Sequence, residues 1–283
     1  MKGGELSVEK VTIIIATHKK YQMPSDKCYL PLHVGAEGKK DKDGNPLDLG
    51  YVKDNTGDNI SSKNASFCEL TGLYWAWKNL DADYIGLVHY RRHLSLHKKS
   101  KDPFQNILTD NEAIALTEQY EVIVPSKRNY WIETLYSHYK HTHFASQLDE
   151  TRKIIAEQCP DYQPDYDKVI HKTWGYMFNM MIMRRDLLND YCSWLFNILF
   201  ELERRVNAGQ VQDSQNLSPF QGRFYGRISE IIFNVWLQHQ IRIGNVKHIK
   251  QIKCITLGKI AWRKKLISFL EAKFLGKKYE GSF

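Results

Sequence analysis

Tyr84-Ile85-Gly86-Leu87-Val88-His89-Tyr90-Arg91-Arg92-His93 decides how this chain is read. Its first five residues form an apolar run of the length of a strand buried on both faces, and Asp81-Ala82-Asp83 ahead of it supplies a turn. The run stops abruptly at imidazoles and guanidiniums. Open α/β sheets bind ligands outside the carboxyl ends of their strands, so His89, Tyr90, Arg91 and Arg92 read as a reactive or anion-binding site rather than a plain basic loop.

Working upstream, Phe67 to Asn79 places Phe67, Leu70, Leu73, Tyr74 and Trp77 at helical spacing, with Asn64 or Ser66 able to cap the helix. Helix and strand make a β-α-β unit, expected to be right-handed and parallel. Glu69 is the one acid on this stretch, read either as facing the site or as a first-turn acid favoured by the helix dipole. Val11 to Ala16 is a β-branched strand ending at Thr17-His18-Lys19, so polar and basic residues again follow a strand's carboxyl end. Tyr29 to Val34 is a second strand, and Gly35 to Asn55 a polar surface loop. Neither GxGxxG nor GxxxxGK[ST] is present, which disfavours a dinucleotide fold or a P-loop ATPase.

The 283 residues suffice for one large α/β domain with an appendage, and a hydrophobic content of 42% supports a sizeable core. Five widely spaced Cys without a CxxC pair fit a reducing cytoplasm. No apolar run reaches the ~18 residues that span a bilayer, and the start lacks a signal peptide's apolar core, so a chain neither exported nor membrane-spanning is expected. The net charge of +8 lies in one place: residues 245–283 hold ten Lys and Arg against Glu271 and Glu280, and the rest of the chain is neutral.

Downstream, Glu121 to Pro125 adds a strand after a helix that Thr109 or Asp110 caps. Trp131 to Phe144 is read as helical, with His138 and His141 three apart on one face. That spacing would suit a metal, but no third ligand is in view and a solvated surface is the preferred reading. Trp174 to Met183 reads as a core strand interrupted by one amide, Asn179, and its Gly turn brings Trp174 and Tyr176 to a pocket as acceptor-binding candidates. Arg185 to Arg205 is an amphipathic helix with a core face. Gln221 opens another helix, with Arg223, Arg227 and Glu230 near its amino end, where anions bind well. Lys259 to Lys278 patterns as a basic amphipathic helix for an anionic membrane, in preference to a nucleic-acid tail. Asp81-Ala82-Asp83 has the DxD form of a metal-diphosphate motif but precedes its strand, so it is set aside.

Asp58-Asn59-Ile60-Ser61-Ser62-Lys63-Asn64, Cys68-Glu69-Leu70-Thr71, Tyr74-Trp75-Ala76-Trp77-Lys78-Asn79 and Ile85 to Arg92 together resemble a bacterial glycosyltransferase family. It is encoded in capsular and exopolysaccharide loci, was long catalogued as a domain of unknown function, and includes members described as galactofuranosyltransferases. The resemblance covers most of residues 11 to 240 and is looser at Gln221-Gly222-Arg223 to Glu230. It implies a GT-A-like, Rossmann-type α/β fold with a mostly parallel central sheet, a UDP-sugar donor and a lipid-linked saccharide acceptor.

The expected division is a transferase domain over 1–244 and a membrane-associating tail over 245–283, giving a cytoplasmic protein peripheral on the inner membrane face. Thr17, His18, Lys19, Asp58, Asn59, Asn64, Tyr90, Arg91, Arg92, Arg223 and Arg227 are the donor-side candidates. Arg91 and Arg92 would neutralise the departing diphosphate in place of a metal. Glu69, Glu230 or His89 would take the acceptor's proton. No cofactor is assigned, and Mn²⁺ or Mg²⁺ stays open. The alternative is a non-catalytic carbohydrate-binding or scaffolding module of polysaccharide assembly.

Overall fold

The computed structural model describes residues 10–258, 271–273 and 278. In chain order these are β1 (Val11–Thr17), β2 (Tyr29–His33), β3 (Val52–Lys53), α1 (Asn64–Phe67), α2 (Leu70–Asn79), β4 (Tyr84–His89) and β5 (Arg92–Ser95). Then come α3 (Asp110–Thr117), β6 (Val122–Pro125), β7 (Arg128–Asn129), α4 (Leu135–Thr142), α5 (Ala145–Gln158) and α6 (Gln163–Ile170). The last group is β8 (Trp174–Gly175), β9 (Met181–Arg184), α7 (Arg185–Asn207), α8 (Phe224–Arg242) and β10 (Ile249–Thr256).

The main sheet has the order β3-β2-β1-β4-β5-β10-β6-β9, and β9 pairs with β4 as well. Strands β1 to β4 are mutually parallel, as expected of the β-α-β unit. The other half is not: β9 runs antiparallel to β4 and β6, and β5 antiparallel to β4 and β10. The sheet is therefore mixed: the expected parallel character holds for β1 to β4 and for β10 beside β6, and β5 and β9 depart from it. Strands β4, β9, β6, β10 and β5 form a closed circuit, with β5 meeting β4 only where His89 faces Arg92.

Successive side chains of a strand point to opposite faces, and both faces here are covered. Ile14, Leu32, Ile85, Leu87, Val122, Met181 and Met183 join the core under α2, α7 and α8. Ile13, Ile15, Val88, Ile123 and Ile182 join the smaller core under α3. Gly86 is required by crowding, since a Cβ there would lie 2.9 Å from Ile182 Cγ1 and 3.1 Å from the Met181 carbonyl oxygen of the crossing β9.

Three segments depart from the sequence reading. The helix expected over 67–79 breaks at Cys68, whose φ of 55° ends α1 before α2 begins. The strand expected over 174–183 is two short strands on either side of a turn in which Phe178 (φ 75°) and Asn179 (φ 52°) are both left-handed. Helix α4 starts only at Leu135, because Thr134 accepts from Ser137 N and caps it there. The sheet also extends past residue 244: β10 lies beyond the expected boundary and inserts between β5 and β6. Most of the expected amphipathic helix, 259–278, lies outside the described residues. No helix among the described residues is long and apolar enough to cross a membrane.

Candidate active site

At the end of β1, Thr17 is buried and its hydroxyl turns the chain, donating to the Lys19 carbonyl at 2.7 Å and accepting from Lys19 N at 3.3 Å. The turn sends His18 and Lys19 outward. Partial burial, followed by the charges of Lys19 and Arg223, lowers the His18 pKa from its usual value. The His18 ring meets Tyr90 edge-on at 5.4 Å, and Tyr21 stacks on the other part of Tyr90 at 4.1 Å. The ends of β1 and β4 are thus in contact through aromatic side chains. Beyond Tyr90, the exposed Arg91 lines a cavity of about 380 Å³ with Tyr21, Gln22, Asp102, Phe104 and Gly258.

Beside this rim, Asp54 is fully buried and accepts four hydrogen bonds: from Gly35 N, Ala36 N, Ser61 Oγ and Thr71 Oγ1. It ties the loop after β2 to the first turn of α2. Asn64 belongs to the same tie, donating to the Cys68 carbonyl at 2.7 Å and to Thr71 Oγ1 at 3.1 Å. The Cys68 backbone lets its thiol face the start of α8, where Arg223, the residue just before the helix, donates from Nε to Sγ at 3.1 Å. Burial pushes this thiol up to about 11, so it is neutral, and Arg223 keeps its charge toward His18.

The left-handed turn before β9 joins the rest. His89 Nε2–H donates to the Phe178 carbonyl at 2.6 Å, since a carbonyl only accepts, and in a neutral imidazole this bond makes Nδ1 the acceptor. The next side chain, Asn179, is buried: Nδ2 donates to Glu69 Oε1 at 2.7 Å and to the Gly226 carbonyl at 3.1 Å, while Oδ1 accepts from Ser229 Oγ at 2.8 Å. Two adjacent residues thereby hold His89, Glu69 and the start of α8 in one arrangement. The Phe178 ring carries the Arg92 guanidinium at 4.5 Å and that of Arg128 at 5.6 Å. Asn179 stood out in sequence as one amide in an apolar run, and Cys68 within a motif of the family resemblance; Asp54, Tyr21 and Arg128 carried no comparable signal.

Other candidates lie elsewhere or are otherwise engaged. Asp58 accepts from Tyr74 OH at 3.1 Å and is bonded through its backbone to Asn79, on the later part of α2, while Asn59 closes its own loop. The structure does not bring these two to the rim. Arg227 lies 3.7 Å from Glu230, one turn along α8. Trp174 has Lys127 Nζ and Lys172 Nζ over its ring at 3.7 and 4.7 Å, and Tyr176 exchanges backbone bonds with the Asn234 amide. Asp81 and Asp83 sit at the amino end of β4, where Asp83 accepts from Lys10 N. His138 and His141 both donate through Nδ1 to Glu133, a buried carboxylate absent from the sequence reading. Among the described residues, no three His, Cys, Asp or Glu side chains are grouped to hold a metal ion.

Residues 12–241 match the model of a family described as a domain of unknown function, DUF4422. The chain belongs to this family. A solved structure of the WbbM bifunctional glycosyltransferase in its apo form is similar to this member over 88% of the chain, with a TM-score of 0.77 and 28% sequence identity. The match takes in 46% of WbbM, so this family member spans about half of that enzyme's length. None of the curated proteins compared with it matches.

Proposed function

We propose that this chain is a glycosyltransferase of GT-A-like fold that moves a hexose, galactose or galactofuranose, from a UDP-sugar to a lipid-linked oligosaccharide in capsular, exopolysaccharide or O-antigen synthesis. Likeness to one half of a bifunctional glycosyltransferase supports the reaction class. The observation that carries the chemistry is the Phe178–Asn179 turn, which binds a carboxylate and an imidazole to the same rim as the cations of β1, β5 and α8. A departing diphosphate needs fixed positive charge, and an attacking hydroxyl needs a nearby base.

In this reading the acceptor oxygen bonds to the anomeric carbon as the bond from that carbon to the diphosphate breaks. The diphosphate takes the electron pair and is met by Arg91, Arg92, His18, Lys19 and Arg223. The hydroxyl proton passes to Glu69, whose Oε1 is held by Asn179; His89, held through Nε2 by the Phe178 carbonyl, is the second candidate. Arg227 on the donor side and Glu230 as a third candidate base stand further along α8, 3.7 Å from each other, and Trp174 and Tyr176 would bind the acceptor. The sequence of 259–278 would keep the enzyme at an anionic membrane surface, the inner face of the cell membrane.

A panel of UDP-sugars, including UDP-galactofuranose, assayed for transfer to a synthetic lipid-linked acceptor tests the proposal. Transfer from one donor is expected, lost in Arg91→Ala and Glu69→Gln with folding intact. Near-normal turnover of Arg91→Ala would remove that guanidinium from the role, and activity abolished by EDTA and restored by Mn²⁺ would replace cationic by metal stabilisation. A chain that binds no UDP by calorimetry would instead be a scaffolding module.

A further inference from the structure

The loop between β7 and α4 carries the two most exposed large apolar side chains among the described residues, Trp131 at 83% and Ile132 at 63%. Trp131 has a φ of 58°, a left-handed conformation that an indole-bearing residue adopts against steric cost. Backbone strain and a solvated indole are both unfavourable, and no packing within the described residues offsets either. The loop is nevertheless anchored on both sides. Tyr130 N donates to the Thr173 carbonyl and Leu135 N to the Lys172 carbonyl, both at 2.8 Å, while Glu133 is clamped by His138 and His141.

The surround is cationic. Lys127 and Arg128 precede the tip and Lys172 flanks it over Trp174. Lys273 Nζ donates to the Ile132 carbonyl at 3.3 Å, and Lys278 Nζ to the Lys140 carbonyl at 3.0 Å. The acid of the loop itself, Glu133, is buried against two imidazoles.

We propose that Trp131 and Ile132 form an interfacial anchor that enters the headgroup boundary of an anionic bilayer, with the surrounding Lys side chains on the lipid phosphates. Indole is enriched at that depth because it joins an apolar body to a polar N–H, and basic residues beside it add electrostatic attraction. Two side chains are too small an apolar area for a stable protein interface, which needs roughly 1,000 Å² or more. The anchor is distinct from the sequence at 259–270 and does not depend on the transferase reading, because it is measured without a sugar donor.

The test is vesicle co-sedimentation of the full chain on phosphatidylcholine with and without phosphatidylglycerol, for the parent and for Trp131→Ser/Ile132→Ser. The double variant is expected to bind anionic vesicles roughly tenfold more weakly, with unchanged circular dichroism. Lys127→Gln/Lys140→Gln should weaken binding to anionic vesicles alone. Equal binding of parent and double variant, a parent that binds neither vesicle, or a dimer in analytical sedimentation that the double variant abolishes would each overturn the proposal.

Discussion

Asn179 Nδ2 donates to Glu69 Oε1 at 2.7 Å, joining residues 110 positions apart in the chain. The same amide donates to the Gly226 carbonyl and accepts from the Ser229 hydroxyl, so its removal takes a partner from three groups at once, Ser229 keeping its bond to Gly226. Asn179→Ala should cost about 2–3 kcal/mol by that route, with a further ~1 kcal/mol for alanine in a left-handed conformation. Asn179→Gly keeps the backbone but not the bonds. Transfer should fall in both variants, while urea unfolding should find the glycine variant the more stable of the two.

Asp54 accepts four hydrogen bonds in full burial, none from a cation. Asp54→Asn keeps the shape but turns an NH₂ toward groups that only donate or already donate here. A loss of about 2–4 kcal/mol is expected on urea unfolding. Hydrogen exchange should show the Gly35–Ala36 amides among the first to lose protection.

The Arg92 guanidinium lies 4.5 Å from the centre of the Phe178 ring, where a planar, delocalised cation and a compact ammonium are not interchangeable. Arg92→Lys should leave stability within about 1 kcal/mol but lower donor kcat/KM roughly tenfold, since it keeps the charge and loses the position. Equal loss of activity and stability would make Arg92 a packing residue.

His93 is fully buried on β5, and burial, helped by the neighbouring His89, holds its imidazole near pKa 4. An unfolded histidine titrates near 6.5, so between these values the unfolded chain binds the extra proton. The stability involved is whole above pH 6.5 and declines as pH falls toward 4, by about 3 kcal/mol at the limit. Burial lowers His33, His138 and His143 in the same sense, so the difference between parent and His93→Phe is the quantity to read. Urea unfolding at pH 7 and pH 4.5 should show a smaller acid loss in the variant.

The strands β1 and β4 were legible because a run buried on both faces is uniformly apolar, and the change to His and Arg marks its end. Strand β10 was not. Lys247, Lys250 and Lys253 drew it into the basic tail, yet its burial is partial, and lysine stems lie along such a strand with their ammoniums in water. The breaks at Cys68 and at Phe178–Asn179 were also hidden, because neither uses the glycine that usually announces a positive φ. Glu69 could be placed near the site from its position on a helix, but its partner lies too far along the chain for spacing to reveal.

The closed circuit of strands also constrains how the molecule is made. Strands β5 and β6 leave the ribosome more than a hundred residues before β10, which must fit between them. Until then each presents an unpaired edge, the feature through which nascent chains pair with the wrong partner. Because β5 begins at Arg92, the cationic rim is completed only when the last strand arrives, so half-made chains would carry the His89–Glu69 side of the site without its fixed opposite wall.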